Sequence, residues 1–411
     1  MSRPPSRTAL VLTPRLPWPL DDGGRIVLWQ SLWSMAQGYR TILVTLEDEA
    51  SHSRPLPDAI AGLGVEVVRI LHRPPTLIRA LALGTFGRWP YTLTRYRNRE
   101  LDRTLRELVV DRRPAIAFVN HLHLATYADA LLGTPWVLRE HNVESSWMRR
   151  YAASRKQPWI RAYAQFQAGR LARAESSLCA RASLVLAIQE EEAIELRRLA
   201  PGARVEMLPI GIDFARFLQP RPEMPPVVLI IGSFAWGPNL EGLVRFLAEG
   251  WPRLRTRCPG VRLRVVGKAL PLDIAELLSA AGAEPVGFVE DVAPEFQRAS
   301  VLLVPLWTGA GARVKIVEAL AAGTPVVSTP LGAEGLGLSP GVHALLVDSP
   351  AGLADAAAEL IERPEKGRRL AAEAHAHARR EFSLQAVASR TLELCAGVER
   401  PADALPPPAG G

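Results

Sequence analysis

Cysteine is scarce in this chain: Cys179, Cys258 and Cys395 are odd in number and widely separated. That pattern excludes a disulfide framework and a cysteine metal cluster, and leaves three small buried apolar side chains as the expectation. Long apolar runs are missing too. The run from Val227 to Ile231 is typical of the longest, far short of the roughly 20 residues that a membrane-spanning helix needs. Arg and Pro break up the first 25 residues, so no secretory leader is expected and the cytoplasm is the expected location. No Asp-x-Asp motif is present to hold a metal ion. Lysine is rare in an arginine-rich chain, occurring only as Lys156, Lys268, Lys315 and Lys366, so each of these lysines needs a reason.

What is present is ordinary globular composition, 48% hydrophobic and 22% charged over 411 residues. That length exceeds what one core serves, and two domains are expected. The net charge of +7 is uneven. Residues 1–216 hold 30 Lys and Arg against 21 Asp and Glu, and the remainder holds 19 against 21. The basic first half suggests an anionic partner, either a membrane surface or a phosphorylated acceptor; nucleic acid is not expected. The start "MSRPPSR" and the tail "PADALPPPAGG" lack the apolar residues for a core and are expected to be disordered.

Continuous apolar runs alternate with helical patterns, the mark of strands buried on both faces of a parallel sheet. In the first half they are "TALVLT", "TILVTL", "VEVVRIL", "AIAFVN", "PWVLRE", "SLVLAI" and "VEMLPI". The pattern restarts with "VVLIIGS", "LRVVG", "AEPVGFV", "VLLVPL" and "TPVVST" after the proline-rich break "PRPEMPP". The expected organisation is a Rossmann-like domain over 1–216, a linker over 217–226 and a second Rossmann-like domain over 227–383. A closing helix over 384–398 and a disordered tail over 399–411 follow. Two such α/β domains would face each other across a cleft lined by strand carboxyl ends and helix N-termini.

The chemistry concentrates at those strand ends. In "TGAGARVKIVEALAAGTPVVST", Gly309 and Gly311 follow an apolar strand and open a helix. Unpaired N–H groups and the helix dipole favour an anion there, and glycine lets it approach. The stretch is neither Gly-x-x-x-x-Gly-Lys-Ser/Thr nor a full Gly-x-Gly-x-x-Gly. Lys315 and Glu318 are three apart and share a helix face, whereas Arg313 points elsewhere. Glu318 falls roughly 10 Å along from Gly311, a span that suits a diphosphate at the mouth and a ribose further in. A solvated helix with idle charges is the alternative.

In the first half, Gly23 and Gly24 open the first helix, where they serve either a diphosphate or only a tight turn. "NHLHLATY" puts His121 and His123 at a strand end. A His-x-His pair could be half a zinc site, but no metal is expected because further ligands are not evident, His375 and His377 belonging to an Ala-rich helix that reads as solvated. "REHNVES" offers His141, Asn142 and Glu144, groups that pair well with sugar hydroxyls; a helix cap would use the same residues. The stretch Arg88 to Arg113 interleaves arginine with Trp89, Tyr91 and Tyr96, and fits a membrane-interfacial segment or a solvated helix.

Taken together, "GARVKIVEALAAGTPVVSTPLGAEGL", "IIGSFAWGPNLEGLVRFLAEGWPRL", "RLRVVGKAL" and "GFVEDVAPEFQRASVLLVPL" resemble the retaining glycosyltransferases of the GT-B fold, group 1 or family 4. The likeness is strongest over Val227 to Val347. It implies a nucleoside-diphosphate-sugar donor, and no other cofactor, held mainly by the second domain at Gly232, Ser233, Gly309, Gly311, Arg313, Lys315 and Glu318. It implies a glycan or lipid-linked acceptor in the first domain, a histidine near the reacting sugar (His121, with His123 second), and retention by a same-face route without metal. Work in cell-surface polysaccharide or glycolipid synthesis at the inner membrane face is the implied setting. Two departures stand out. The first glutamate of the family's E-x7-E pair is replaced by Ala310, and "GSFAWGPN" lacks the Arg and Lys often found there. Arg313 and Lys315 are the expected substitutes. An epimerase or hydrolase on the same fold, or a non-catalytic nucleotide-sugar-binding subunit, are the rival readings.

Overall fold

The computed structural model describes residues 7–20, 22–217, 220–309, 311 and 313–400. Ala310, Leu218 and Gln219 of the expected linker, and residues 1–6 and 401–411 of the two ends lie outside the described residues.

Among the described residues thirteen strands form two all-parallel sheets. The first contains β1 (Thr8–Thr13), β2 (Arg40–Glu47), β3 (Glu66–Leu71), β4 (Ile116–Asn120), β5 (Trp136–Arg139), β6 (Leu184–Ala187) and β7 (Val205–Met207). Its order is β3-β2-β1-β4-β5-β6-β7. The second contains β8 (Val227–Ile231), β9 (Arg262–Val266), β10 (Glu284–Gly287), β11 (Val301–Val304), β12 (Val326–Ser328) and β13 (Leu345–Leu346). Its order is β10-β9-β8-β11-β12-β13. Both reverse direction beside their first strand, the doubly wound Rossmann-like arrangement whose ligand crevice lies at the strand carboxyl ends. The physical reason is plain in β1 and β8: Ala9 to Leu12 and Val227 to Leu229 are buried without alternation, which requires helices on both faces.

The chain divides into two compact units, one comprising residues up to Gly211 and from Val387 onward, the other Ile212–Ala386. The change of unit therefore comes earlier than the proline-rich break. The Ile212 N–H donates to the Phe382 carbonyl at 2.8 Å and the Leu384 N–H to the Ile212 carbonyl at 2.9 Å, so 212–216 belongs with the second unit. The closing helix, Leu384–Ala396, is not a separate element. From Val387 it packs into the first unit, where Cys395 Sγ lies 3.9 Å from Met35 Sδ. Glu399 and Arg400, assigned to the tail, are anchored there as well: the Tyr39 hydroxyl donates to Glu399 at 2.8 Å and the Arg400 N–H to the Ala115 carbonyl at 3.0 Å.

All three cysteines are free and buried. His375 and His377 are not idle in solvent. Their rings meet the carbonyls of Leu320 at 3.0 Å and Leu336 at 3.1 Å, fastening the Pro364–Phe382 helix to its neighbours.

Candidate functional site

In the second unit the site grows from the ends of β8 and β11. The β11 strand runs into the glycine loop and then the helix Val314–Ala322, with Arg313 as its N-cap residue. Among the described residues no side chain caps that helix, so its first N–H groups remain available to an anion. Gly309 has φ +93°, and a Cβ there would come within 2.6 Å of the Trp236 ring and 2.7 Å of Pro238. Glycine is required by both conformation and space.

Lys315 lies in the first turn of this helix. Its ammonium donates to Asn239 Oδ1 at 2.7 Å, and Asn239 Nδ2 donates to the Ser233 carbonyl at 2.9 Å. The lysine is thereby tied to Gly232 and Ser233 at the end of β8. A Cβ on Gly232 would lie 3.2 Å from the ammonium. Burial, with Arg313 adding, pushes Lys315 down to about 8. Arg313 faces a different duty from the one its charge suggested. It is buried and donates to the carbonyls of Leu331 at 2.9 Å and Gly309 at 3.3 Å, so it holds the glycine loop. Glu318 is one turn on and half-buried. Burial raises its carboxyl to about 7, with Arg216 opposing and Asp291 adding; those two form an ion pair at 3.6 Å.

In the first unit the helix Gly23–Gly38 starts at Asp22, whose carboxylate accepts from the Arg25 N–H at 2.9 Å and from Arg15 at 2.7 Å. Burial alone would raise Asp22, but these donors outweigh it and hold it below its ordinary value. A Cβ on Gly24 would come within 2.8 Å of Arg15 and 3.0 Å of Asp22, so Gly24 makes room for that pair.

The β4 end is fixed by Asn120, which donates to the Leu12 carbonyl at 3.1 Å and accepts from Ser31 at 2.8 Å. His121 follows at φ +69°, a conformation non-glycine residues rarely adopt. Its ring stacks on His141 with centroids 3.6 Å apart, and His123 lies 5.6 Å away. Burial lowers both His121 and His141 well below the ordinary range, with neighbouring imidazoles and Arg15 adding. Burial takes His123 to about 4. Burial thus favours the neutral form of all three rings. The ligand atoms of His121, His123 and Glu144 lie within 4.8 Å of one another, a spacing a metal ion would accept, with Glu144 as the further ligand that was not evident beside the His-x-His pair.

Glu144 opens the helix Glu144–Ala153. Its N–H donates to Glu175 at 2.7 Å, and the Ser145 hydroxyl donates to the same carboxylate at 2.5 Å. Burial, then Glu175, raises Glu144 to about 7. His123, Asn142 and Glu144 line a cavity of about 1090 Å³, together with Arg15, His72, Tyr96 and Trp147. The expected residues thus gather in two groups, one per unit. Asn239, Arg15 and Glu175 were missed, and Tyr96 was read only as part of an interfacial segment or a solvated helix. Asn239 had one local signal, its place just inside a helix after a strand; the others are brought in by tertiary packing.

Comparison with known proteins fits this division. The family model described as glycosyl transferases group 1 matches residues 225–363, and the one described as glycosyl transferase 4-like domain matches residues 23–211. A D-inositol 3-phosphate glycosyltransferase of Nocardia farcinica is 30% identical over 232 residues, 50% of this chain and 50% of that protein; the chain spans about half the length of this curated relative. Anabaena HepE, solved in complex with UDP and glucose, has a TM-score of 0.66 at 16% identity, covering 95% of this chain and 100% of that one. Sucrose-phosphate synthase from Thermosynechococcus elongatus has a TM-score of 0.67 at 18% identity, covering 95% and 98%. At these identities the solved structures speak for the fold, that of GT-B glycosyltransferases with two Rossmann-like domains.

Proposed function

The chain belongs to the group 1 glycosyltransferases, and from that premise we propose that it moves a sugar from a nucleoside diphosphate to an acceptor hydroxyl with retention of configuration. The observation that carries the donor assignment is Lys315, a desolvated ammonium fixed by Asn239 at the uncapped mouth of the helix after the glycine loop. A diphosphate placed there meets helix N–H groups and a charge whose orientation is set in advance, so little reorganisation is needed as negative charge grows on the leaving group. Glu318 is the acceptor for ribose hydroxyls. The complex of HepE with UDP and glucose supports this class of donor.

In the transfer, the bond from the sugar's anomeric carbon to the diphosphate oxygen breaks while the same carbon bonds to the acceptor oxygen on the same face. The acceptor proton leaves with the nucleoside diphosphate. Helix N–H groups and Lys315 carry the leaving-group charge, so the step is assigned no metal. In the first unit, His121 with His123 beside it is the group assigned to the sugar, and Asn142 and Glu144 are assigned to the acceptor hydroxyl. Arg313 acts through the loop it holds. The acceptor is a glycan or lipid-linked molecule of cell-surface synthesis, consistent with the basic first half, and contact with the membrane is peripheral. Among the described residues no helix is long and apolar enough to cross a membrane.

The test is a panel of UDP-, GDP- and ADP-sugars offered with a bacterial lipid and glycan extract, with nucleoside diphosphate release and the anomeric proton followed by NMR. Acceptor-dependent release with the donor's anomeric configuration kept in the product is expected. Release that ignores acceptor and yields only free sugar would make the protein a hydrolase.

A further inference from the structure

The helix Glu144–Ala153 follows Val143, whose side chain gives it no cap. Glu175, buried on the helix Pro158–Arg181, supplies the acceptor from a distance in sequence. It takes the Glu144 N–H at 2.7 Å, the Ser145 N–H at 3.2 Å and the Ser145 hydroxyl at 2.5 Å. Further along, Arg149 pairs with Glu195 at 3.1 Å. The helix is thereby fixed at its start and on one flank, and the face it turns to the first unit's cavity is set before any ligand arrives.

That face consists of Glu144, Trp147, Met148 and Tyr151, one stripe at i, i+3, i+4 and i+7. Met148 is buried, whereas Trp147 and Tyr151 stay 46% and 36% exposed. Their rings stack with centroids 5.6 Å and planes 15° apart, and the Arg155 guanidinium joins them 4.5 Å from the Tyr151 ring. From Glu144, Trp147 is roughly 5 Å and Tyr151 roughly 10 Å further along the helix axis, each step comparable to a sugar ring. The remaining lining says which chemistry suits this space. Four arginines line the cavity, and Glu47, Asp48 and Glu144 oppose them. A polyanion would meet those acids, and an alkyl chain would take both signs of charge out of water. A neutral ligand rich in hydroxyls pairs with both signs and with Asn142, while its C–H faces suit the negative faces of aromatic rings. At about 1090 Å³ the cavity reaches the top of the roughly 300–1,000 Å³ range of ligand sites, more than a single sugar ring needs.

We infer that Trp147, braced by Tyr151, is a second sugar subsite, and that the acceptor presents at least two sugar units. Its reacting hydroxyl lies at Asn142 and Glu144 and its next ring lies against Trp147. That the bound sugar is an acceptor rests on the transferase reading above; the two-ring site itself does not.

The full chain is to be titrated by saturation-transfer NMR with methyl glycosides of glucose, galactose and mannose, with the matching methyl disaccharides, and with the octyl monosaccharides. UDP binding is measured by calorimetry on the same preparations. At least one disaccharide should bind about tenfold tighter than its monosaccharide. Trp147→Ala should bring that ratio close to unity and Trp147→Phe should keep most of it, with circular dichroism and melting temperature at wild-type values in both. A ratio that survives Trp147→Ala, no preference for any disaccharide, or no sugar bound at all would overturn the subsite. An octyl glycoside whose gain depends as strongly on Trp147 would also overturn it, giving the ring to an alkyl chain. A Trp147-dependent preference in a protein that fails to bind UDP would remove the transferase reading and leave the two-ring site, whereas UDP binding without the preference would do the reverse.

Discussion

The two units share one architecture and use it in opposite ways. In the second, the strand ends close over a small set of groups already committed to one another: Asn239 holds Lys315, Arg313 holds the glycine loop, and glycine at 232 and 309 leaves no room for anything larger. In the first, the strand ends open on a cavity of about 1090 Å³, and at the end of β4 the imidazoles of His121, His123 and His141 meet by ring contact. Among the described residues, buried Nδ1 of His121 and Nε2 of His141 have no hydrogen-bond partner. A doubly wound sheet fixes where a ligand binds, and loop length and composition decide whether the site is specified or left adaptable. A diphosphate demands fixed charge, while an acceptor demands shape and desolvated polar groups.

The strongest way to break this contrast is to remove its fixed charge. A charge-assisted contact to phosphate contributes about 1.5 to 3 kcal/mol, so Lys315→Ala should lower kcat/KM for the donor by about ten- to a hundredfold. Part of the loss should fall on kcat, because the leaving diphosphate gains charge in the transition state. Steady-state kinetics on a variant with unchanged circular dichroism checks this. Wild-type kcat and donor KM would reduce Lys315 to a helix-entrance residue and erase the distinction between the units.

A smaller effect separates the two charged ends of the donor site. In the proposed donor site Glu318 would accept ribose hydroxyls as a carboxylate, and burial raises it to about 7; its useful form grows as pH rises through that value. Lys315 would bind phosphate as an ammonium, and burial lowers it to about 8; its useful form is lost as pH rises through that value. Affinity for a nucleoside diphosphate should therefore pass through a maximum between about 7 and 8. Glu318→Gln should remove the acid limb, and Lys315→Arg the alkaline one. Calorimetric titration across pH measures it, and an unchanged profile in both variants would show that other groups govern binding.

What could be read from the sequence follows the same division. The strands were legible because a parallel sheet buried on both faces leaves continuous apolar runs: "TALVLT" coincides with β1, and "VVLIIGS" contains β8. The short edge strand Leu345–Leu346 was not, since two residues make no pattern. In the second unit Gly309, Lys315 and Glu318 were legible because loop, helix and spacing are local. Arg313 misled for a reason of geometry: as the N-cap residue it turns back to the carbonyls of Leu331 and Gly309 instead of projecting along the helix. The first unit's cluster is long-range. The stacking of His121 on His141 depends on β4 lying beside β5, and the raised carboxyl of Glu144 depends first on burial and then on Glu175, 31 residues away. No spacing rule reaches that far.

The smallest expected effect is an absence of one, and it tests whether the cluster in the first unit is polar only or a metal centre. Ligand atoms of His121, His123 and Glu144 lie within 4.8 Å of one another, and both rings and the carboxyl are desolvated. The two imidazoles are in the neutral form that a metal ion needs, but a cation would have to displace the proton that burial and Glu175 favour on Glu144. The leaving-group charge, meanwhile, is assigned to the second unit, to helix N–H groups and Lys315, and an ion among these histidines has no part in that step. Turnover should therefore persist in excess EDTA, and added zinc, manganese or magnesium should not raise it. Loss of activity in chelator with recovery on one of these ions, together with loss of that recovery in His123→Ala, would turn the cluster into a metal site. The contrast between the units would then be between a metal-dependent acceptor side and a metal-free donor side.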